Sequence, residues 1–140
     1  MTEENGCLLC QPINYPLIWR NDDFRVVLID DQAYPGYCRV EVIKHIKEMT
    51  DLSELKQQSL LKIVLQVEKA LRAHLNPEKI NLACLGNITP HLHWHIIPRY
   101  KDDNHFPASI WSIQKRFKKD ELSEPQSQTL IKLIQEALDG

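Results

Sequence analysis

The sequence predicts an α+β domain: a mainly antiparallel five-stranded sheet, one long helix and a shorter C-terminal helix. Three observations carry this. Five short runs rich in aliphatic and aromatic residues are separated by turn-forming stretches. One segment, 51–75, repeats its apolar residues at three- and four-residue spacing. A second, shorter helical pattern follows Pro125, so strands, a helix, strands and a helix succeed one another along the chain.

"PLIWR" (16–20) and "FRVVLID" (24–30) flank the turn-forming "NDD" at 21–23, which makes them a hairpin. "AYPGY" (33–37) is a turn. "CRVEVIK" (38–44) alternates Cys38, Val40 and Val42 against Arg39, Glu41 and Ile43, the pattern of a half-buried third strand. The long helix is expected to start on a capping box of Asp51 and Glu54. Its apolar stripe is Leu52, Leu55, Leu60, Ile63, Val64, Val67 and Leu71, and Asn76 with Pro77 ends it near Leu75. "INLACLG" (80–86) and "HLHWHIIP" (91–98) form two more strands joined by a tight "NITP" turn. Leu130, Ile131, Leu133, Ile134 and Leu138 mark the last helix.

At 140 residues the chain fits a single domain, 1–140, with a real core. Hydrophobic residues at 43% and charged residues at 26% are ordinary globular usage. Apolar runs fall well short of the roughly 18 residues of a bilayer span. "MTEENGCLLC" has acids where a signal peptide carries basic residues, so no membrane partner is expected and the cytoplasm is the default location. A net charge of −2 gives no footprint for nucleic acid. The one basic cluster, "QKRFKKD" (114–120), is read as a solvated face near a helix end. The cysteines are Cys7, Cys10, Cys38 and Cys84; without a secretory signal, the C-x-x-C of Cys7 and Cys10 means metal or redox rather than a disulfide framework.

Three of the six histidines stand at alternate positions in "HLHWHII". On a strand, residues two apart share a face about 6–7 Å from one another. His91, His93 and His95 therefore form a row, with Leu92, Trp94 and Ile96 turned to the core. Imidazoles on one face can ligate a metal, receive phosphate oxygens, or supply a nucleophile with its helpers.

"HLHWHII" matches, at every position, the His-φ-His-φ-His-φ-φ signature of the histidine triad family, φ being apolar, and the chain resembles nucleotide hydrolases and transferases of that family over about residues 7–111. An N-terminal C-x-x-C, paired strands, an acid before a turn, "KHI", a long helix and "IIPRY" occur in the family's order, whereas 112–140 is a C-terminal extension. The resemblance implies attack on the α-phosphorus of a nucleoside phosphoramidate or dinucleoside polyphosphate. His93 would form a nucleotidyl intermediate, and His95 would steady phosphate charge or assist the leaving group. It places a ribose-binding acid at Asp30 or Asp31, with Asp30 preferred, and a phosphate-binding turn at Asn87 and Ile88, where Thr89 would substitute for Ile88 in a rebuilt turn. It also implies a homodimer. Arg99 is read as offsetting phosphate charge or pairing with a nearby acid, and Trp111 as stacking on a base or packing in the core.

Zinc-bearing members of the family ligate the metal with residues matching Cys7, Cys10, His45 and His91, a closed Cys2His2 set suited to structural zinc. The chain departs from the family pattern at two points. Ile88, which cannot donate a hydrogen bond, stands in the phosphate turn, and Tyr37 replaces a fourth histidine eight residues before His45. A phenol in that place can still hydrogen-bond phosphate or order the histidine row.

Overall fold

Asn21 closes the first hairpin, its side-chain oxygen accepting from the backbone N–H of Asp23 and Phe24 at 2.9 and 2.8 Å. This turn joins β1 (Leu17–Arg20) to β2 (Phe24–Leu28) in the computed structural model, which describes residues 6–29, 31, 33–119 and 122–139. β3 (Cys38–Val42) pairs with β2, and β5 (His93–Arg99) lies between β3 and β4 (Lys79–Ala83). The sheet order is β1-β2-β3-β5-β4. Every neighbouring pair is antiparallel, which gives the five-stranded antiparallel sheet that the sequence predicts.

The turn before β3 depends on Gly36. Its φ of +89° is open to glycine, and a Cβ there would lie 2.4 Å from Leu75 Cδ1. The chain then enters β3 with Tyr37 in the ladder, where its carbonyl accepts from Ile29 N–H at 2.8 Å.

α1 spans Glu54–Leu75 and α2 spans Glu124–Asp139. The expected capping box at Asp51 and Glu54 is corrected by the structure. Asp51 instead reaches back to the Glu48 N–H at 3.0 Å, closing a 3₁₀ turn at Met49–Asp51, and Ser53 is the N-cap of α1 through Lys56 N–H. Asp51 has an acid three residues away on either side, Glu48 and Glu54, and pairs with the earlier one. Asn76 ends α1 in the left-handed conformation, φ 49° and ψ 53°. Ser123 and Gln126 exchange hydrogen bonds to start α2.

Both helices cover one face of the sheet. Leu60, Val64, Val67 and Leu71 of α1 and Leu130 and Ile134 of α2 pack with Phe24, Val26, Val40 and Ile96. Each such side chain contributes about 1.5–3 kcal/mol through burial. Gln135 Nε2 bonds the Ile18 carbonyl and Trp19 Nε1 bonds Asp139, so the C-terminal extension is sewn to β1. The other face carries the polar alternation. Register sets Glu41 opposite His93 and Arg39 opposite His95, with Arg25 opposite Glu41 on the next strand. No helix among the described residues is long and apolar enough to cross a membrane.

Candidate functional site

β5 begins at His93, so His91 stands just outside the strand rather than in an unbroken row as the alternation predicts. The three imidazoles consequently divide. His93 and His95 form a pair with ring centroids 4.8 Å apart, whereas His91 turns its ring toward His45 at 5.1 Å. Leu92 and Ile96 are buried in the core on the opposite face, with Trp94 packed against them, as expected.

Nδ1 of His93 lies 2.6 Å from the His91 carbonyl oxygen. A carbonyl only accepts, so the ring carries its proton on Nδ1 and Nε2 keeps its lone pair. Burial lowers the His93 pKa below its ordinary value, and the Arg39 guanidinium adds to this against the pull of the His91 carbonyl. His95 is pushed down to about 4 by burial, with His93 and Arg39 adding to the shift. Both rings are neutral near pH 7. Tyr37, 6% exposed, holds its hydroxyl oxygen 2.5 Å from Nδ1 of His95. The indole of Trp111 meets the same ring edge-on, centroids 4.9 Å apart, and is half exposed. Trp111 therefore borders the site rather than sitting in the core.

A cleft of about 340 Å³ opens beside His93, lined by Tyr15, Arg25, Arg39, Glu41 and Thr89 together with the segment 8–14. Its floor is a charged bridge. Glu41, 1% exposed, accepts from Arg25 Nε at 2.6 Å and Arg39 Nε at 2.5 Å, and Arg25 continues to the Leu9 carbonyl at 2.7 Å. Arg39 also lies 5.5 Å over the Tyr15 ring. Sequence reasoning used "CRVEV" only to assign a strand. The same alternation held the missing signal, because a polar face opposite a histidine row is a site face.

Of the other expected contacts, Thr89 reaches the cleft, whereas the Asn87 side chain is exposed and Ile88 is 96% exposed. Asp30 lies outside the described residues; Asp31 turns its carboxylate to Ala33 N–H at 2.8 Å. The phosphate role of Arg99 is corrected. Its guanidinium is 2% exposed and donates to Asp103, Asn81 and the Ala108 carbonyl. The pairing with a nearby acid is what the structure shows. Asp103 also accepts from the N–H groups of Tyr100, His105 and Phe106, and Asn104 bonds both ways with Lys118. These two buried polar residues shape the 100–118 loop that carries Trp111. His105 hydrogen-bonds Tyr34.

Cys7, Cys10, His45 and His91 converge, with their ligand atoms all within 4.8 Å of one another. Tetrahedral zinc, with bonds of about 2.3 Å to sulfur and about 2.0–2.1 Å to nitrogen, would set S···N edges of about 3.5 Å and an N···N edge of about 3.3 Å. The observed edges are 3.3 Å for Cys7 to His91, 3.3 Å for Cys10 to His45, 3.5 Å for Cys10 to His91 and 3.2 Å between the two imidazole Nδ1 atoms. Nε2 of His91 donates to the Val42 carbonyl at 2.5 Å, which fixes the tautomer and leaves Nδ1 bare toward the cluster. The four residues fit a metal ion in spacing, and the His91 tautomer suits a ligand.

A five-stranded antiparallel sheet with a neutral imidazole pair and, beside it, a Cys2His2 cluster able to hold a metal defines a class of small α+β site-bearing domain. The HIT domain family model matches residues 12–102, and the chain belongs to that family. A histidine triad protein from Bradyrhizobium japonicum is 26% identical, with a TM-score of 0.74 over 89% of this chain and 91% of that one. A histidine triad protein from Sinorhizobium meliloti 1021 is 27% identical, with a TM-score of 0.72 over 89% and 90%. A zinc-bound histidine triad family protein from Mycobacterium smegmatis shares the fold at 17% identity and a TM-score of 0.62, over 97% and 95%. No curated protein matches the sequence.

Proposed function

We propose that the protein is a nucleotide hydrolase or nucleotidyl transferase acting at the α-phosphate of nucleoside phosphoramidates or dinucleoside polyphosphates. The observation that carries this is the His93 ring, anchored at Nδ1 by the His91 carbonyl and bare at Nε2. That nitrogen attacks phosphorus in line: the N–P bond forms and the bond to the leaving group breaks, its electron pair departing with that group. Water or another acceptor then attacks the phosphorus, the N–P bond breaks, and His93 returns to its starting form. His95 stabilises charge on the leaving group. Thr89 and Asn87 bind phosphate oxygens, Trp111 stacks on the base, and Asp30 binds ribose hydroxyls.

Zinc is the metal proposed for Cys7, Cys10, His45 and His91, because two thiolates and two imidazoles without an open position are a structural zinc set. The zinc-bound relative from Mycobacterium smegmatis supports the choice. Bound there, the ion ties the N-terminal segment to the sheet beside the cleft. Thiolates kept for a metal suit a reducing compartment, which favours the cytoplasm. A homodimer is proposed through the β4 sheet edge and α1, where Leu61 and Leu65 are 40% and 53% exposed.

The test is turnover of an adenosine phosphoramidate and a diadenosine polyphosphate. AMP released by the wild type and not by His93→Ala supports the enzyme. The exposed Ile88, unable to donate to phosphate, favours a second reading, a catalytically weak nucleotide-binding protein. Tight AMP binding with no turnover of either substrate would select it.

A further inference from the structure

We propose that Tyr37 is a positioning residue that sets the tautomer of His95, so that the ring presents an Nε2–H donor beside the bare Nε2 of His93. The inference rests on the hydrolase reading for its consequence, though not for the tautomer itself.

The Tyr37 hydroxyl and Nδ1 of His95 are 2.5 Å apart, and one proton lies between them. Among the described residues the hydroxyl makes no other hydrogen bond. If the imidazole donated, the phenol proton would have no protein acceptor in a residue only 6% exposed, at a cost of about 1–3 kcal/mol. If the phenol donates, nothing is orphaned. Burial holds the phenol protonated, its pKa pushed up to about 12, and holds His95 neutral. A neutral imidazole that accepts at Nδ1 carries its proton on Nε2.

His93 shows the opposite arrangement, with Nδ1–H given to the His91 carbonyl. Two rings with centroids 4.8 Å apart thus hold complementary tautomers, one with a lone pair to attack and one with an N–H to donate. When the His93 lone pair forms its bond to phosphorus, the leaving oxygen takes the electron pair of the broken P–O bond. It departs as an anion hydrogen-bonded to Nε2–H of His95 and later draws its proton from water. Tyr37 does not touch the substrate in this step. Gly36 and the β3 ladder aim its hydroxyl, and His95 carries the effect.

Long-range proton–nitrogen NMR of the metal-loaded full chain near neutral pH reads the His95 tautomer directly. The expected wild-type pattern is Nε2–H, moving toward Nδ1–H or a mixture in Tyr37→Phe. A wild-type Nδ1–H pattern, or a pattern unchanged in the variant, overturns the proposal without any need for activity. Kinetics supply the second arm, using phenyl and 4-nitrophenyl esters of AMP, whose leaving groups differ in their need for stabilisation. Tyr37→Phe is expected to lower kcat for the phenyl ester by about tenfold or more and to leave the 4-nitrophenyl ester within about threefold. Equal losses on both esters would mark Tyr37 as merely structural. If wild type turns over neither ester, and neither the adenosine phosphoramidate nor the diadenosine polyphosphate, the hydrolase reading fails, and the NMR result still decides the tautomer.

Discussion

The backbone carbonyl of His91 accepts the Nδ1–H of His93 at 2.6 Å, while the His91 ring reaches the cluster with Cys7, Cys10 and His45. One residue therefore anchors both the candidate metal cluster and the candidate nucleophile. Removing the metal by chelation, or by Cys10→Ser, is expected to lower the melting temperature by about 10 °C, the size of a loss near 3 kcal/mol in a domain of this length. Elemental analysis should show a single ion per chain lost in the variant. AMP release should fall as well, because the strand end that holds His93 is loosened.

His93→Ala is expected to lower kcat/KM at least about 1,000-fold while leaving the fold intact. Circular dichroism and the metal content of the variant check the fold. Steady-state release of AMP checks the rate.

Glu41 holds two arginines from neighbouring strands, with its own side chain 2% exposed. Glu41→Gln removes the charge that both guanidinium groups answer and is expected to destabilise the domain by about 3 kcal/mol. Chemical denaturation with an unchanged m-value measures the loss. Because Arg25 also grips the Leu9 carbonyl in the cleft wall, the KM for any nucleotide substrate should rise in the same variant.

His95 has its folded pKa pushed from 6.5 to about 4, first by burial. A lowered histidine pKa means the unfolded chain binds the extra proton, so the associated stability is fully present above pH 6.5 and is lost as pH falls toward 4. The loss should reach about 1–2 kcal/mol by pH 5. His95→Asn abolishes this slope. Comparing the two proteins by urea unfolding at several pH values isolates it from protonation of the metal ligands, which both share.

Leu61 and Leu65 project from α1, and β4 is a sheet edge with Leu82 37% exposed. Leu65→Glu is expected to move the sedimentation coefficient from dimer to monomer. A wild type that sediments as a monomer at every concentration would remove the dimer.

Sheet, helices and the two apolar faces were legible because period-two and helical alternation survive in "CRVEV" and along 54–75. The cap of α1 was not, since Asp51 and Ser53 both offer side-chain oxygens near its start and only geometry chooses between them. The position of Trp111 escaped for a related reason. Asp103 and Asn104, an ordinary polar pair in sequence, fold the loop inward through backbone contacts that leave no periodic trace. The His91 break was hidden because spacing alone cannot say where a strand begins. Sequence left Arg99 between phosphate and a nearby acid, because an arginine four residues past a histidine row suits either until its buried acid is found.

The central claim is that the bare Nε2 of His93 becomes bonded to phosphorus. Rapid quench of the metal-loaded protein with an adenosine phosphoramidate, under basic denaturing conditions that spare N–P bonds, followed by peptide mass spectrometry, tests it most directly. The account expects an adenylyl group on the peptide containing His93, localised to that residue and lost in His93→Ala. Turnover with no adduct on His93, or with the group on another side chain, would contradict it.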